Sequence, residues 1–192
     1  MNRPRASLAI RHAWPILLVC CCLALAIPVE SLAKKSRPRE FSGEVVKIAD
    51  GDTITVLRGR KQVKVRLWGV DCPEKKMPHG SRARAFTGEL CFRREVRVTP
   101  QAVDDYGRVV ARVYLEDGRE LNLELLRAGM AWWYQRYAPK ASEYRAAHEK
   151  ARAERVGLWA DRDPTPPWEW RARKRKPDPW DGVFRKLLDM IR

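Results

Sequence analysis

The chain has 192 residues, with 39 Lys and Arg against 24 Asp and Glu and a formal charge of +15. That length supports one domain with a real core plus extensions, and the absence of any internal repeat or low-complexity tract excludes a repeat array. The basic balance suits a polyanion, nucleic acid first, although a high charge also serves to keep an exported protein soluble.

The amino end reads as a secretory signal over residues 1–33. Arg3, Arg5 and Arg11 form a basic region, Ile16 to Ile27 is unbroken apolar chain, and Ser31-Leu32-Ala33 offers small residues to a signal peptidase. The apolar run falls short of the about 20 residues a membrane span needs. A membrane anchor is the alternative, and Val19 before Cys20 fits lipoprotein processing poorly. The expected location is secreted or periplasmic, with residues 34–40 as a linker. Cys20, Cys21 and Cys22 leave with the signal, so Cys72 and Cys91 remain. In an exported protein they permit one disulfide; equally they serve as two small buried hydrophobes. Both readings stay open.

From Ser42 to Ile48 the pattern is that of a strand. Ala49-Asp50-Gly51-Asp52 turns the chain, and Thr53 to Leu57 is the next strand. After a turn at Arg58-Gly59-Arg60, Gln62 to Val70 alternates: Val63, Val65 and Leu67 face one way, Lys64, Arg66 and Trp68 the other. Arg66 thus leaves the core face. A helix is predicted over Gly80 to Leu90 with Ser81 as cap. Glu95 to Thr99 and Val109 to Leu115 are two further strands. Asn122 to Ala128 is a short helix stopped by Gly129, and Ser142 to Arg155 a longer one capped by Ser142 and ended by Gly157. Five short strands and about three helices make an α+β, mainly β chain: a five-stranded Greek-key barrel of the OB type over residues 41–162.

Residues 163–192 change character. Pro164, Pro166 and Pro167 break regular structure. Trp168 and Trp170 are expected to pack on the barrel. The run from Arg171 to Lys176 is expected to be solvated and mobile, touching polyanions weakly. Val183, Phe184, Leu187, Leu188 and Ile191 have helical spacing. That helix could dock on the domain, pair with another chain or touch a membrane.

Three separated stretches carry the chemistry: Asp50-Gly51-Asp52-Thr53, Arg66 to Glu74 (RLWGVDCPE), and Asp105-Tyr106-Gly107-Arg108. Asp52, Asp71 and Glu74 are hard oxygen ligands or bases. Arg66 and Arg108 are permanent cations whose planar fork matches phosphate. A divalent ion, a base and two guanidiniums are what phosphodiester hydrolysis asks for. Two carboxylates on an oxygen-preferring cation suit Ca²⁺. His79 and His148 are isolated, so no zinc cluster is read. Asp50 is an outer-shell carboxylate or a plain turn former.

In order and spacing these stretches, from about Phe41 to Asp161, resemble the staphylococcal nuclease (thermonuclease-like) family. The resemblance implies an OB-fold nuclease that cleaves DNA and RNA with little sequence choice. It implies Ca²⁺ held by Asp52, Asp71 and the Cys72 carbonyl, with Arg66, Glu74 and Arg108 catalytic and Glu74 the proposed general base. It places Tyr106 and Tyr137 against a bound nucleotide. Cys72 stands where many relatives have Thr or Ala, which a carbonyl ligand tolerates. Asp105 stands where the founding member has lysine, which should weaken the hold on a terminal phosphate. The loop after Glu74 is shorter than the founding member's.

Two other classes compete. A non-catalytic OB-fold nucleic-acid-binding module shares the fold but has no reason to keep Asp52, Asp71, Glu74, Arg66 and Arg108 together. A structural envelope protein would act through residues 163–192.

Overall fold

The computed structural model describes residues 39–174 together with Met190. The expected signal over 1–33, most of the linker and, Met190 apart, the apolar stretch Val183–Ile191 lie outside the described residues. No helix among the described residues is long and apolar enough to cross a membrane.

Five strands close the predicted barrel. They are β1 (Phe41–Asp50), β2 (Thr53–Arg58), β3 (Lys61–Leu67), β5 (Glu95–Val103) and β6 (Val109–Tyr114), paired in the order β1-β2-β3-β6-β5. All neighbours are antiparallel except β3 and β6, which run parallel with Val65 opposite Val109 and Arg66 opposite Val110. A parallel pair needs a long crossover, and α1 (Gly80–Cys91) with β5 supplies it. Alternation along β3 buries Val65 and Leu67 in a core shared with Val45, Ile54, Val56, Val98, Ala111 and Val113.

Predicted strand three divides. The pairing with β6 ends at Leu67, and Val70–Asp71 becomes β4, which pairs with β7 (Trp132–Trp133). The break is at Gly69, whose φ is +70°. A Cβ there would lie 2.8 Å from Ala138 Cβ and 2.9 Å from Tyr144 Cε2, so only glycine fits both the dihedral and the space. This kink swings Asp71 off the barrel wall and over its end.

Two helices close the other side: α2 (Leu121–Arg127) and α3 (Ser142–Ala153). Asn122, fully buried, binds α2 to the barrel rim. Its amide donates to the carbonyls of Trp68 (2.9 Å) and Ala111 (3.2 Å), and its Oδ1 accepts from Val113 N–H at 3.1 Å. The expected caps differ. α1 starts after His79, in the left-handed region at φ 62°, and α3 after Ala141; neither has a side-chain cap. A 3₁₀ turn at Gly157–Ala160 follows α3.

The proline-rich segment is not only a breaker. Pro167 opens a fourth helix, α4 (Pro167–Lys174). Proline suits a first helical turn, where its missing N–H would be unpaired anyway. Trp168 stacks on Tyr134 at 5.3 Å and 10°, and meets Trp132 edge-on at 5.6 Å. Trp132 in turn packs on Trp159 at 4.3 Å. This aromatic ladder docks α4 on β7 and links it through Trp132 to the 3₁₀ turn.

Candidate active site

The turn between β1 and β2 is packed, not merely tight. Gly51 is buried; a Cβ on it would lie 2.9 Å from Cys72 Cβ and 3.0 Å from Ala83 Cβ. Thr87 of α1 donates to the Gly51 carbonyl at 2.6 Å. The turn is therefore clamped between α1 and the Cys72 segment, and Asp52 is fixed with it. Asp52 Oδ2 accepts the Cys72 N–H at 2.8 Å, and Oδ1 accepts the Thr53 hydroxyl at 3.0 Å.

Kinking at Gly69 brings Asp71 to the same point. Arg66 lies between the two acids: Nη2 to Asp71 Oδ1 is 2.8 Å and Nη1 to Asp52 Oδ2 is 2.7 Å. The second approach is close but not aligned as a hydrogen bond. The alternation of β3 does send Arg66 off the core face. Instead of open solvent it meets two carboxylates, and its side chain is only 15% exposed. Burial opposes its charge, but Asp52 and Asp71 outweigh burial and its pKa is raised. Asp71 is 1% exposed. Burial pushes its carboxyl above the ordinary value, against the pull of Arg171 and Arg66. Asp50 is raised too, by burial and then by the charge of Asp52.

Glu74 follows on a loop folded against the start of α1, where Met77 N–H donates to the Glu74 carbonyl at 2.7 Å. Its side chain is about one-third exposed and faces Arg171 of α4, Nη1 to Oε1 3.4 Å. Arg171 also binds Asp71, Nη2 to Oδ2 2.7 Å. The expectation of a solvated run beginning at Arg171 thus fails for that residue. It sits three residues after Trp168 on the same helical face, and the aromatic ladder delivers it to the acids. Sequence reading missed it because three prolines masked the helix, and because the docking partners Trp132 and Tyr134 are remote in the chain.

Arg108 stands apart from this cluster. The β5–β6 hairpin is built on Asp104, whose Oδ1 accepts the N–H groups of Tyr106 (3.0 Å) and Arg108 (2.8 Å). Asp104 Oδ2 holds Arg108 Nε at 2.7 Å. Burial works against this carboxylate, but the bonds and charge of Arg108, with the Tyr106 N–H, together outweigh it and hold its pKa below the ordinary value. The parallel β3–β6 pairing nevertheless sets Arg108 at the barrel end that carries Arg66. Asp104 is the second residue that sequence reading missed; its signal is an acid two and four residues before the N–H groups it accepts. Tyr106 is 86% and Tyr137 60% exposed. Tyr106 lies under the Arg108 guanidinium at 5.4 Å, and Tyr137 edge-on to Tyr134 at 4.8 Å.

Cys72 and Cys91 are both free and buried, so the disulfide reading gives way to the buried-hydrophobe one. Burial pushes the Cys72 thiol well up and Cys91 to about 12, which leaves neither a ready nucleophile. A cavity of about 560 Å³ lies beside the root of α4, lined by Trp132, Tyr134, Arg136, His148, Arg152 and Trp168 among others; Asp52, Asp71 and Glu74 do not line it.

The staphylococcal nuclease homologue family matches residues 64–161 of this chain. An uncharacterised endonuclease of Escherichia coli is 41% identical over 135 residues, covering 70% of this chain and 88% of that one. A micrococcal nuclease of Shigella flexneri is 43% identical over 141 residues, covering 69% and 81%. A staphylococcal-like nuclease of Arabidopsis thaliana is 38% identical over 115 residues, covering 60% and 35%. The chain belongs to the staphylococcal nuclease homologue family. Membership supports a nucleic-acid hydrolase and fits the closed five-stranded barrel.

The donor set fits a hard cation. Asp52 and Asp71 already turn carboxylate oxygens toward one positive group, and hard oxygens suit Ca²⁺. Among the described residues no group of three or more His, Cys, Asp or Glu side chains gathers as a metal site. The protein oxygens that the fold brings together for such an ion are those of Asp52 and Asp71.

Proposed function

We propose that this chain is an exported, Ca²⁺-dependent nuclease that hydrolyses DNA and RNA with little sequence choice. The observation that carries the reading is the Arg66 guanidinium bridging Asp52 and Asp71 beside Glu74. It brings the two acids, the base and one phosphate-matching cation, from separate stretches, to one barrel end. Asp52, Asp71 and the Cys72 carbonyl would hold the ion. When bound it would polarise the phosphate and offset charge on its oxygens.

The residues divide the remaining work. Glu74, partly exposed beside Asp71, takes a proton from the attacking water. The water oxygen bonds to phosphorus, the bond to the 5′ oxygen breaks, and that oxygen leaves with a proton taken from solvent water, to which Glu74 returns its own. The products are a 3′ phosphate and a 5′ hydroxyl. Arg66 and Arg108 turn from their acids to the phosphate oxygens and stabilise the charge that grows there. Tyr106 and Tyr137, both exposed, offer ring faces to nucleotides. Since positioning comes from phosphate contacts, base sequence matters little. The leader over residues 1–33 supports export.

A non-catalytic nucleic-acid-binding module is the competing reading. What favours it is Asp71, whose two oxygens are both taken by guanidiniums. Hydrolysis of single-stranded DNA by the full chain, with Ca²⁺ and then with a chelator, separates the two. Cleavage that requires Ca²⁺ supports the nuclease. Tight binding with no cleavage under either condition supports the module.

A further inference from the structure

The helix α4 places a guanidinium where the proposed site wants a divalent ion. Arg171 Nη2 is 2.7 Å from Asp71 Oδ2, and Nη1 is 3.4 Å from both Asp71 Oδ1 and Glu74 Oε1. Arg66 Nη2 donates to Asp71 Oδ1 at 2.8 Å. The bridge joins residues 100 positions apart, and more than one contact enforces it. Pro167 is buried, and Trp168 stacks on Tyr134 and abuts Trp132. Asp161, just before the helix, pairs with His79, just after the Glu74 loop, at 2.8 Å. The approach of α4 is thus fixed at both ends of the carboxylate loop.

A guanidinium and a divalent ion cannot share these oxygens. Ca²⁺ needs them at about 2.3–2.6 Å, and a second positive group at that range repels it. One partner must yield. Asp71 is 1% exposed and belongs to the β4–β7 pair, whereas the Arg171 side chain is 42% exposed on α4. Arg171 is the part that moves.

We propose that Arg171 is a tethered counter-cation that a divalent ion must displace from Asp71 and Glu74, so that α4 is a strap lowering the metal affinity of the site. The proposal rests on reading Asp52, Asp71 and Glu74 as the metal and base residues. With the strap closed, Asp71 Oδ2 and Glu74 face a guanidinium; with it open, those oxygens are freed for the ion while Arg66 keeps its hold on Asp71 Oδ1. An ion that binds only the open state shows an affinity reduced by the open fraction. A strap closed about nine-tenths of the time weakens binding about tenfold.

The test uses the full chain, Ca²⁺ alone and fixed ionic strength, with calorimetry on wild type, Arg171→Ala and Arg171→Lys. Hydrogen exchange of residues 167–174 is followed with and without Ca²⁺. Arg171→Ala is expected to bind Ca²⁺ about tenfold more tightly than wild type, with Arg171→Lys between, since lysine keeps the charge and loses the fork. Ca²⁺ is expected to speed exchange in α4 of wild type and to leave exchange in Arg171→Ala, which has no guanidinium to displace, unchanged. Equal Ca²⁺ affinity in wild type and Arg171→Ala overturns the proposal, as does weaker binding in the variant, which would assign Arg171 to holding the loaded site. Ca²⁺-dependent cleavage of single-stranded DNA alongside equal affinities overturns the strap and leaves the nuclease reading standing. No Ca²⁺ binding in any of the three chains removes both.

Discussion

Arg108 Nε lies 2.7 Å from Asp104 Oδ2, so the second phosphate-matching guanidinium is parked on an acid four residues earlier. Asp104 has two separable jobs here. Its Oδ1 shapes the hairpin by accepting two backbone N–H groups, and its charge holds Arg108. Asp104→Asn keeps the acceptor and removes the charge. The variant should fold, free Arg108, and bind single-stranded DNA more tightly. The slope of log K against log salt should steepen by about 0.7, the value of one added phosphate contact on a single strand. A salt titration in chelator reads this without cleavage, and an unchanged slope would show that Arg108 does not engage the backbone.

Glu74 and Arg66 should respond differently to removal. The Glu74 side chain is partly exposed and, among the described residues, pairs with Arg171 alone, so Glu74→Gln is expected to keep the thermal midpoint. Turnover should fall about 10²-fold or more if it is the base. Arg66 is nearly buried between two acids. Arg66→Ala leaves Asp52 and Asp71 without their shared partner, and breaking a buried pair costs about 3–5 kcal/mol. That variant should therefore lose stability as well as activity. Near-normal turnover in Glu74→Gln would remove the base assignment whatever Arg66→Ala does.

Most of the barrel was legible because its signals are local. Strand alternation in β3, the turns at Gly51 and Gly59, and the glycine after α2 each act within a few residues. The motifs were legible for the same reason, and the fold brings Asp52, Arg66, Asp71 and Glu74 together. What was not legible depends on distant partners. β7 is two residues that form a strand only because the Gly69 kink presents β4 to them. The helix α4 has prolines before it and finds its stability in Trp132 and Tyr134. Arg171 inherits its place from that docking, so its role could not be read from a basic run.

The two thiols should be silent in the folded domain. Cys72 and Cys91 are 2% and 0% exposed and unpaired, and burial raises both pKa values. Unreactive thiols are the expected result for both positions when a thiol reagent is added to native protein at pH 8. Mass mapping should place label on both residues only in denaturant, and without prior reductant. Rapid labelling of Cys72 in the native chain would mean that the loop between Asp71 and Glu74 opens far more than its packing implies.

His148 should give the fold an acid-sensitive joint. Its ring meets Trp159 edge-on at 4.9 Å and Trp132 at 6.0 Å, and its Nε2 is buried without a partner among the described residues. Burial, then the charge of Arg152, lowers its pKa from the ordinary 6.5, against a smaller opposite pull from Glu149. The unfolded chain therefore takes up the proton first. The stability held by the neutral ring is whole above pH 6.5 and is lost as pH falls from there through the lower folded value. Thermal midpoints of wild type and His148→Phe, measured from pH 8 down to 5, should diverge only below 6.5. The wild type should fall the faster, because phenylalanine keeps the aromatic packing and cannot protonate. Other titrating groups act on both chains alike, so the difference isolates His148. Parallel curves across that range would mean that the ring protonates as readily in the fold as out of it.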